Sequence, residues 1–274
     1  MKVKKWIVVL FVATLTVVAC KVNPFTGQKN LNFVSNDQLF SASFQQYDAF
    51  LDSSNVVTGT AESRMVKRVG DKIKTAAERY LNANGYQGFL DDFRFEYNLV
   101  KDDQVNAFAM PGGKTVVYTG ILPITQDETG LAVVMGHEVA HALADHGAQR
   151  MSAAQVQQVV GGVGAAALSG KSQQTQQIFA QAYGIGTQLG VMLPFSRSHE
   201  SEADGIGLTL MAIAGYNPDE AADLWRRMQQ NSGGASTPQF LSTHPSNQTR
   251  INNLEAWAPE AKAEARKYGV TSFQ

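Results

Sequence analysis

His137-Glu138-Val139-Ala140-His141 sets two imidazoles one helical turn apart, with a carboxylate between them. At 100° per residue, His141 lies about 40° round from His137 and Glu138 about 100° round, so all three share one face. Two neutral imidazoles so placed can grip a zinc ion at about 2.0–2.1 Å. The glutamate, adjacent but not a ligand, can take a proton from water that the metal activates. That chemistry is metal-assisted hydrolysis. On the same helix His146 projects about 180° from His137. It is rejected as a ligand and expected to face solvent or cap the helix.

A third ligand decides the subclass. An extended H-E-x-x-H-x-x-G-x-x-H pattern would need glycine at 144 and histidine at 147. The chain has Ala144 and Gly147, which excludes it. The remaining candidates lie in Arg197-Ser198-His199-Glu200-Ser201-Glu202-Ala203-Asp204. Glu200 and Asp204 are one turn apart and share a helix face, whereas Glu202 is about 200° from Glu200 and points elsewhere. Glu200 as ligand, with Asp204 behind it accepting the N–H of a metal-bound histidine, makes a working set. The same run also reads as an acidic solvated face. His199 is a rival ligand that helix geometry leaves open.

These residues need elements to hold them. Thr125-Gln126-Asp127-Glu128 has capping-box spacing and opens a helix running to about His146. Earlier, Ser35 starts a helix with Gln38 at capping-box distance and Phe40, Phe44, Tyr47 and Leu51 at helical spacing. A second helix is predicted from about Ala61 to Leu81, striped by Val66, Val69, Ile73, Ala77 and Tyr80. Phe93, Phe95, Tyr97 and Leu99 alternate with polar residues, as in a half-buried strand. A further strand surrounds Val116, Val117 and Tyr118 after the Pro111-Gly112-Gly113 turn signal. Gln155 to Gln188 is rich in Ala, Gly and Gln and reads as helix interrupted at Gly161, Gly162 and Gly164. Its place between the two ligand motifs suits a gate. A helix over Glu200 to Ala214 follows, then one opening at Asn217-Pro218-Asp219-Glu220. After a loop over Asn231 to Ser236 and Thr243-His244-Pro245, two C-terminal helices are expected. The fold class is α+β, mostly α-helical, with a small sheet and no internal repeat.

Composition narrows the function. The 274 residues carry 23 basic and 24 acidic side chains, a formal charge of −1, so no basic face argues for nucleic-acid binding. The single cysteine excludes a disulfide framework and zinc sites built on several thiolates. Lys2, Lys4 and Lys5 precede an uncharged apolar run from Trp6 to Ala19, shorter than the about 20 residues a membrane span needs. With Val17-Val18-Ala19-Cys20 closing it, the run reads as a lipoprotein signal over residues 1–19, with Cys20 the lipidated first residue. Cleavage would leave 20 basic against 24 acidic residues, a charge of −4. Residues 20–34 are then a leader and 35–274 one domain. Lys21 after the cysteine points to the outer membrane, facing the periplasm of a bacterial envelope.

H-E-x-x-H followed by R-x-x-E-x-x-A-D resembles the zinc metallopeptidase family of HtpX, the CAAX prenyl proteases and the mitochondrial Oma-type proteases. Asn106-Ala107-Phe108-Ala109-Met110-Pro111-Gly112-Gly113 resembles that family's segment before a strand beside the active cleft. Asp204-Gly205-Ile206-Gly207 extends the second motif, and His244-Pro245 with Arg250-Ile251 resembles its late H-P-x(4)-R-I element. The resemblance implies a gluzincin-like endopeptidase domain, with the sheet beside the active-site helix and one Zn²⁺ per chain held by His137, His141 and Glu200. It implies polypeptide substrates, and a place for His244 near the cleft as the second electrophile for the oxyanion. Arg250, on the helix after it, pairs with a carboxylate of the site or makes a structural ion pair. Substrate backbone would add to the strand Thr115, Val116, Val117 and Tyr118, with Asn106, Ala107, Phe108 and Ala109 on its approach. The short form looks like the soluble, lipid-anchored members. The rival readings are a chaperone-like assembly role at the outer membrane and a catalytically dead zinc-binding lipoprotein. Oligomeric state is not encoded in any of these signals.

Overall fold

The computed structural model describes residues 20–32, 35–153, 193–231, 239–245 and 247–274. The signal reading of residues 1–19, the gate reading of the Gln155–Gln188 segment and most of the loop from Asn231 lie outside them. Two sheets are present among the described residues: a hairpin of β1 (Cys20–Val22) and β2 (Lys29–Leu31), and a four-stranded sheet. The second takes β3 (Val56–Val57), β4 (Glu96–Val100), β5 (Ala107–Ala109) and β6 (Lys114–Tyr118) in the order β3-β4-β6-β5. β4 runs parallel to β6, and the outer strands are antiparallel to their neighbours. The helices are α1 (Asn36–Asp52), α2 (Ala61–Ala83), the short α3 (Leu122–Thr125), α4 (Glu128–Leu143), α5 (Leu193–Ile213), α6 (Glu220–Asn231), α7 (Gln239–Thr243) and α8 (Gln248–Lys267). Residues 146–153 are also helical. The molecule is thus mainly helical with a small sheet, as expected.

α4 is the axis of the core. Every residue from Gly130 to Leu143 is buried, against α2 and the sheet on one side and α5 on the other. Burying a side chain such as Leu131 or Met135 contributes about 1.5–3 kcal/mol, so this helix is fixed by its surroundings rather than by propensity. Its start differs from the capping-box expectation. Asp127 is the cap, accepting from Thr129 N and Gly130 N at 2.9 Å, while Thr125 ends α3 and Gln126 takes a left-handed φ of 67°. Ser35 likewise precedes α1 without a side-chain cap bond.

α5 crosses α4 through a close approach at glycines. A Cβ on Gly207 would stand 2.9 Å from His137 N and 3.0 Å from Gly136 C. Only a hydrogen side chain lets the second ligand motif come so near the first. Gly112 (φ 86°) and Gly113 (φ 94°) make the turn from β5 to β6 and sit against Phe44 and Phe95, leaving no room for a Cβ.

Three expectations are corrected. Phe93 and Phe95 precede β4 instead of opening it. One helix, α8, with Pro259 inside it, replaces two C-terminal helices. β6 is an interior strand with neighbours on both sides, and Thr115, Val116 and Val117 are fully buried. Its backbone groups are already used by β4 and β5, so Thr115 to Tyr118 cannot accept a substrate strand. Among the described residues the edge of the sheet on this side belongs to β5.

Candidate metal centre

α4 ends at Leu143, and its last two turns carry His137, Glu138 and His141 inward. α5 brings Glu200 and Asp204, and the segment after α7 brings His244. One ligand atom from each of His137, His141, Glu200 and His244 falls within 4.8 Å of the others, and all four residues are buried. His141 Nε2 lies 3.0 Å from His137 Nε2. Glu200 Oε1 is 3.3 Å from His141 Nε2, and Glu200 Oε2 is 3.3 Å from His137 Nε2. His244 Nδ1 is 2.9 Å from Glu200 Oε2 and 3.2 Å from His137 Nε2. Nitrogen and carboxylate donors aimed at one point are the ligand set of a zinc site. Buried side chains of this polarity, crowded with lone pairs facing inward, fit a divalent cation better than they fit one another.

Glu138 completes the picture. Its Oε2 accepts from Ala109 N at 3.2 Å, which ties β5 to the helix. Its Oε1 is buried, has no hydrogen-bond partner among the described residues and lies 3.3 Å from His244 Nε2. An orphaned carboxylate oxygen next to the donor group is a place for a proton-bearing ligand.

Charge is organised behind the donors. Asp204 Oδ1 is 2.9 Å from His137 Nδ1. Arg250, capped into α8 by Asn247, grips the same carboxylate with Nε at 2.6 Å and Nη2 at 2.7 Å. Its guanidinium also lies 3.6 Å over the Trp225 ring and 3.3 Å from Glu200 Oε2. Of the two roles open to Arg250, the carboxylate pair is the one seen. Burial and the Arg250 charge push His137 down, but hydrogen bonds to Asp204 and Glu200 outweigh them and raise it to about 9. Burial dominates at His141 and holds it well below the ordinary imidazole value, although Glu200 pulls upward. Burial raises Glu200, yet hydrogen bonds from His137, His141 and His244 win and hold it below the carboxylate range. Asp204 is also lowered: burial opposes ionisation, and Arg250 and His137 overcome it. The negative field that raises His137 is the field a cation in the cluster would feel.

His244 is therefore placed beside the donors, with Nδ1 toward Glu200 and Nε2 toward Glu138. His199 is outside the donor group: its ring stacks on His146 at 4.1 Å, and its Nε2 lies 3.1 Å from Gln149 Oε1. Burial lowers His199 to about 3.

His146 corrects the sequence reading most. It is fully buried, with Nδ1 2.8 Å from His141 Nδ1. The helical projection assumed one continuous helix. Asp145 breaks it with a left-handed φ of 56°, and residues 146–153 start a new helix that swings His146 back under His141. An aspartate, which tolerates that conformation, was the available signal. Glu202 does point away from the donors, as predicted, and it meets His146 instead.

The sheet offers its edge beside this cluster. Tyr118 N donates to Asn106 O and Met110 N to Lys114 O. By antiparallel alternation the main-chain groups of Ala107 and Ala109 face away from β6.

Comparison with known proteins gives concordant results. The sequence pattern of peptidase family M48 matches residues 67–258. The chain is 38% identical over 176 residues to mitochondrial metalloendopeptidase OMA1 of Schizosaccharomyces pombe, covering 64% of this chain and 50% of that one. It is 26% identical over 248 residues to the OMA1 metalloendopeptidase of Bos taurus, covering 88% of this chain and 46% of that one. It is 30% identical over 172 residues to the beta-barrel assembly-enhancing protease of Yersinia pestis, covering 61% of this chain and 35% of that one. The chain spans about half the length of the curated relatives it matches, or less.

Proposed function

The chain belongs to peptidase family M48, and on that premise we propose that it is a zinc-dependent endopeptidase with His137, His141 and Glu200 as the protein ligands. The observation that carries the reading is the convergence of these donors beside a buried Glu138 oxygen that has no hydrogen-bond partner among the described residues. When bound, zinc supplies Lewis acidity, polarising the scissile carbonyl and making water acidic.

The chain's own groups do the rest. Glu138 Oε1 takes the proton of the attacking water and passes it to the leaving amine nitrogen. Ala109 N–H keeps Oε2 engaged, so the proton has one destination. Asp204 holds the His137 N–H and so turns its Nε2 toward the cluster, and Arg250 anchors Asp204 in turn. A catalytic site needs an open position besides three protein ligands. His244 accordingly acts as donor to the oxyanion and not as a permanent fourth ligand.

Substrate main chain pairs with the outer edge of β5 through the C=O of Ala109, whose N–H stays with Glu138, and with Asn106, Ala107 and Phe108 alongside. Pairing of that kind reads backbone more than side chains, which suits extended or unfolded polypeptides. The chain acts in the bacterial envelope, lipid-anchored at Cys20, most naturally on the periplasmic face of the outer membrane. A second reading, an assembly role with proteolysis secondary, draws on the likeness to a beta-barrel assembly-enhancing protease. The purified protein separates the two when given casein with and without a chelator. Zinc-dependent cleavage supports the first reading. No cleavage at any zinc level, with capture of outer-membrane proteins, favours the second.

A further inference from the structure

We propose that His146 is a positioning residue of the metal centre, orienting His141 through a hydrogen-bonded relay that ends on the N-terminal hairpin. The proposal rests on His141 being a zinc ligand.

The two histidines of α4 are held differently. His137 Nδ1 meets a carboxylate directly, on Asp204. His141 Nδ1 meets an imidazole, His146 Nδ1, at 2.8 Å. His141 turns Nε2 toward Glu200 and His137, so in the neutral ring its proton sits on Nδ1. His146 Nδ1 then accepts, which puts the proton of His146 on Nε2. That nitrogen is 3.2 Å from Glu202 Oε2. The other oxygen, Glu202 Oε1, accepts from Asn23 Nδ2 and from Thr26 Oγ1, both at 2.7 Å. Donation runs one way from His141 to Glu202, and each atom on the path has a single role.

The relay is built to be rigid. His146 is fully buried, and the Glu202 side chain is 6% exposed. The His199 ring lies flat on His146, 9° from parallel, fixing the plane of the ring. Asn23 is itself locked, because its Oδ1 accepts from Phe25 N in the hairpin turn. The hairpin also grips the break that delivers His146, since Lys21 Nζ donates to Asp145 Oδ2 at 2.5 Å. Residues 20–31 therefore support both the backbone under His146 and the carboxylate beyond it. A histidine ligand whose outer hydrogen bond is lost typically binds metal about 10–100-fold more weakly.

The test is zinc affinity by competition with a chromophoric chelator, together with the visible spectrum of the cobalt-loaded protein. His146→Leu should weaken zinc binding by about 10–100-fold and shift the cobalt bands. His146→Gln can accept from His141 and donate to Glu202, and should restore most of the affinity. Asn23→Ala combined with Thr26→Val leaves the strands of the hairpin paired and should weaken zinc by about tenfold. Wild-type affinity and spectrum in His146→Leu would overturn the relay. So would wild-type affinity in the hairpin double variant, which decides alone if His146→Leu does not fold. A glutamine variant as weak as the leucine one assigns the effect to packing and overturns it too. Wild-type protein that binds no zinc removes the metal reading itself, and the relay with it.

Discussion

The main-chain N–H of Ala109 donates to Glu138 Oε2 at 3.2 Å, joining the edge of the sheet to the acid between the two histidines. The contact leaves Oε1 as the only proton acceptor of that side chain facing the cluster. Glu138→Gln keeps the shape and the bond from Ala109 but cannot take a proton. Peptide hydrolysis should fall by at least about 10²–10⁴-fold, while bound zinc, measured by elemental analysis, stays at the wild-type level. Full activity in this variant would refute the assignment.

His244 should separate from the ligands in the same way. Truncation to Ala removes one oxyanion donor, with an expected loss in kcat of about 10²–10³-fold and little change in zinc affinity. Steady-state kinetics beside chelator competition reads both. A rise in kcat with weaker zinc binding would instead make His244 a fourth ligand that closes the open position.

Gly207→Ala puts a methyl group 2.9 Å from His137 N, and backbone cannot yield as a flexible side chain can. The two ligand helices must part. Overpacking of this kind costs about 1–3 kcal/mol, and zinc should bind more weakly because Glu200 retreats from His137. Denaturant unfolding and chelator competition should both move; a variant matching wild type in both would contradict the close packing.

Glu128 gives a pH signature remote from the metal. Its carboxylate accepts from Arg68 Nη2 at 2.6 Å, Tyr216 Oη at 2.6 Å and Lys72 Nζ at 3.1 Å. The Arg68 bond, aided by Tyr216 and Lys72 and opposed by partial burial, lowers it to about 2. A depressed folded value means that ionised Glu128 stabilises the fold above the ordinary carboxylate value of about 4.3. That contribution fades as the pH falls from there toward 2. The Tm gap between wild type and Glu128→Gln should be open at pH 6 and shrink steadily below pH 4.5. A gap independent of pH would show that the pair contributes no linked stability.

What the sequence revealed and what it hid have a common physical basis. Helical periodicity placed His137, Glu138 and His141 on one face and set Glu200 and Asp204 a turn apart, because both motifs lie within unbroken helices. The same rule misplaced His146, since one left-handed residue, Asp145, resets the helix phase. The Val116-Val117-Tyr118 run after a turn signal marks β6 but does not say which strands flank it; pairing order is set by long-range packing, so the sequence alone does not separate an interior strand from an edge. Arg250 was seen as a partner for some carboxylate, and only the fold selects Asp204.

The hairpin of residues 20–31 bears on reach. It begins at Cys20 and is bonded to Asp145 and Glu202, and Phe25 stacks on Tyr80 at 4.8 Å. With the proposed lipid on Cys20, the attachment would work as a bracket and not as a leash. The proposed active site would then be carried at a set height and tilt above the bilayer, facing polypeptide that passes through that layer.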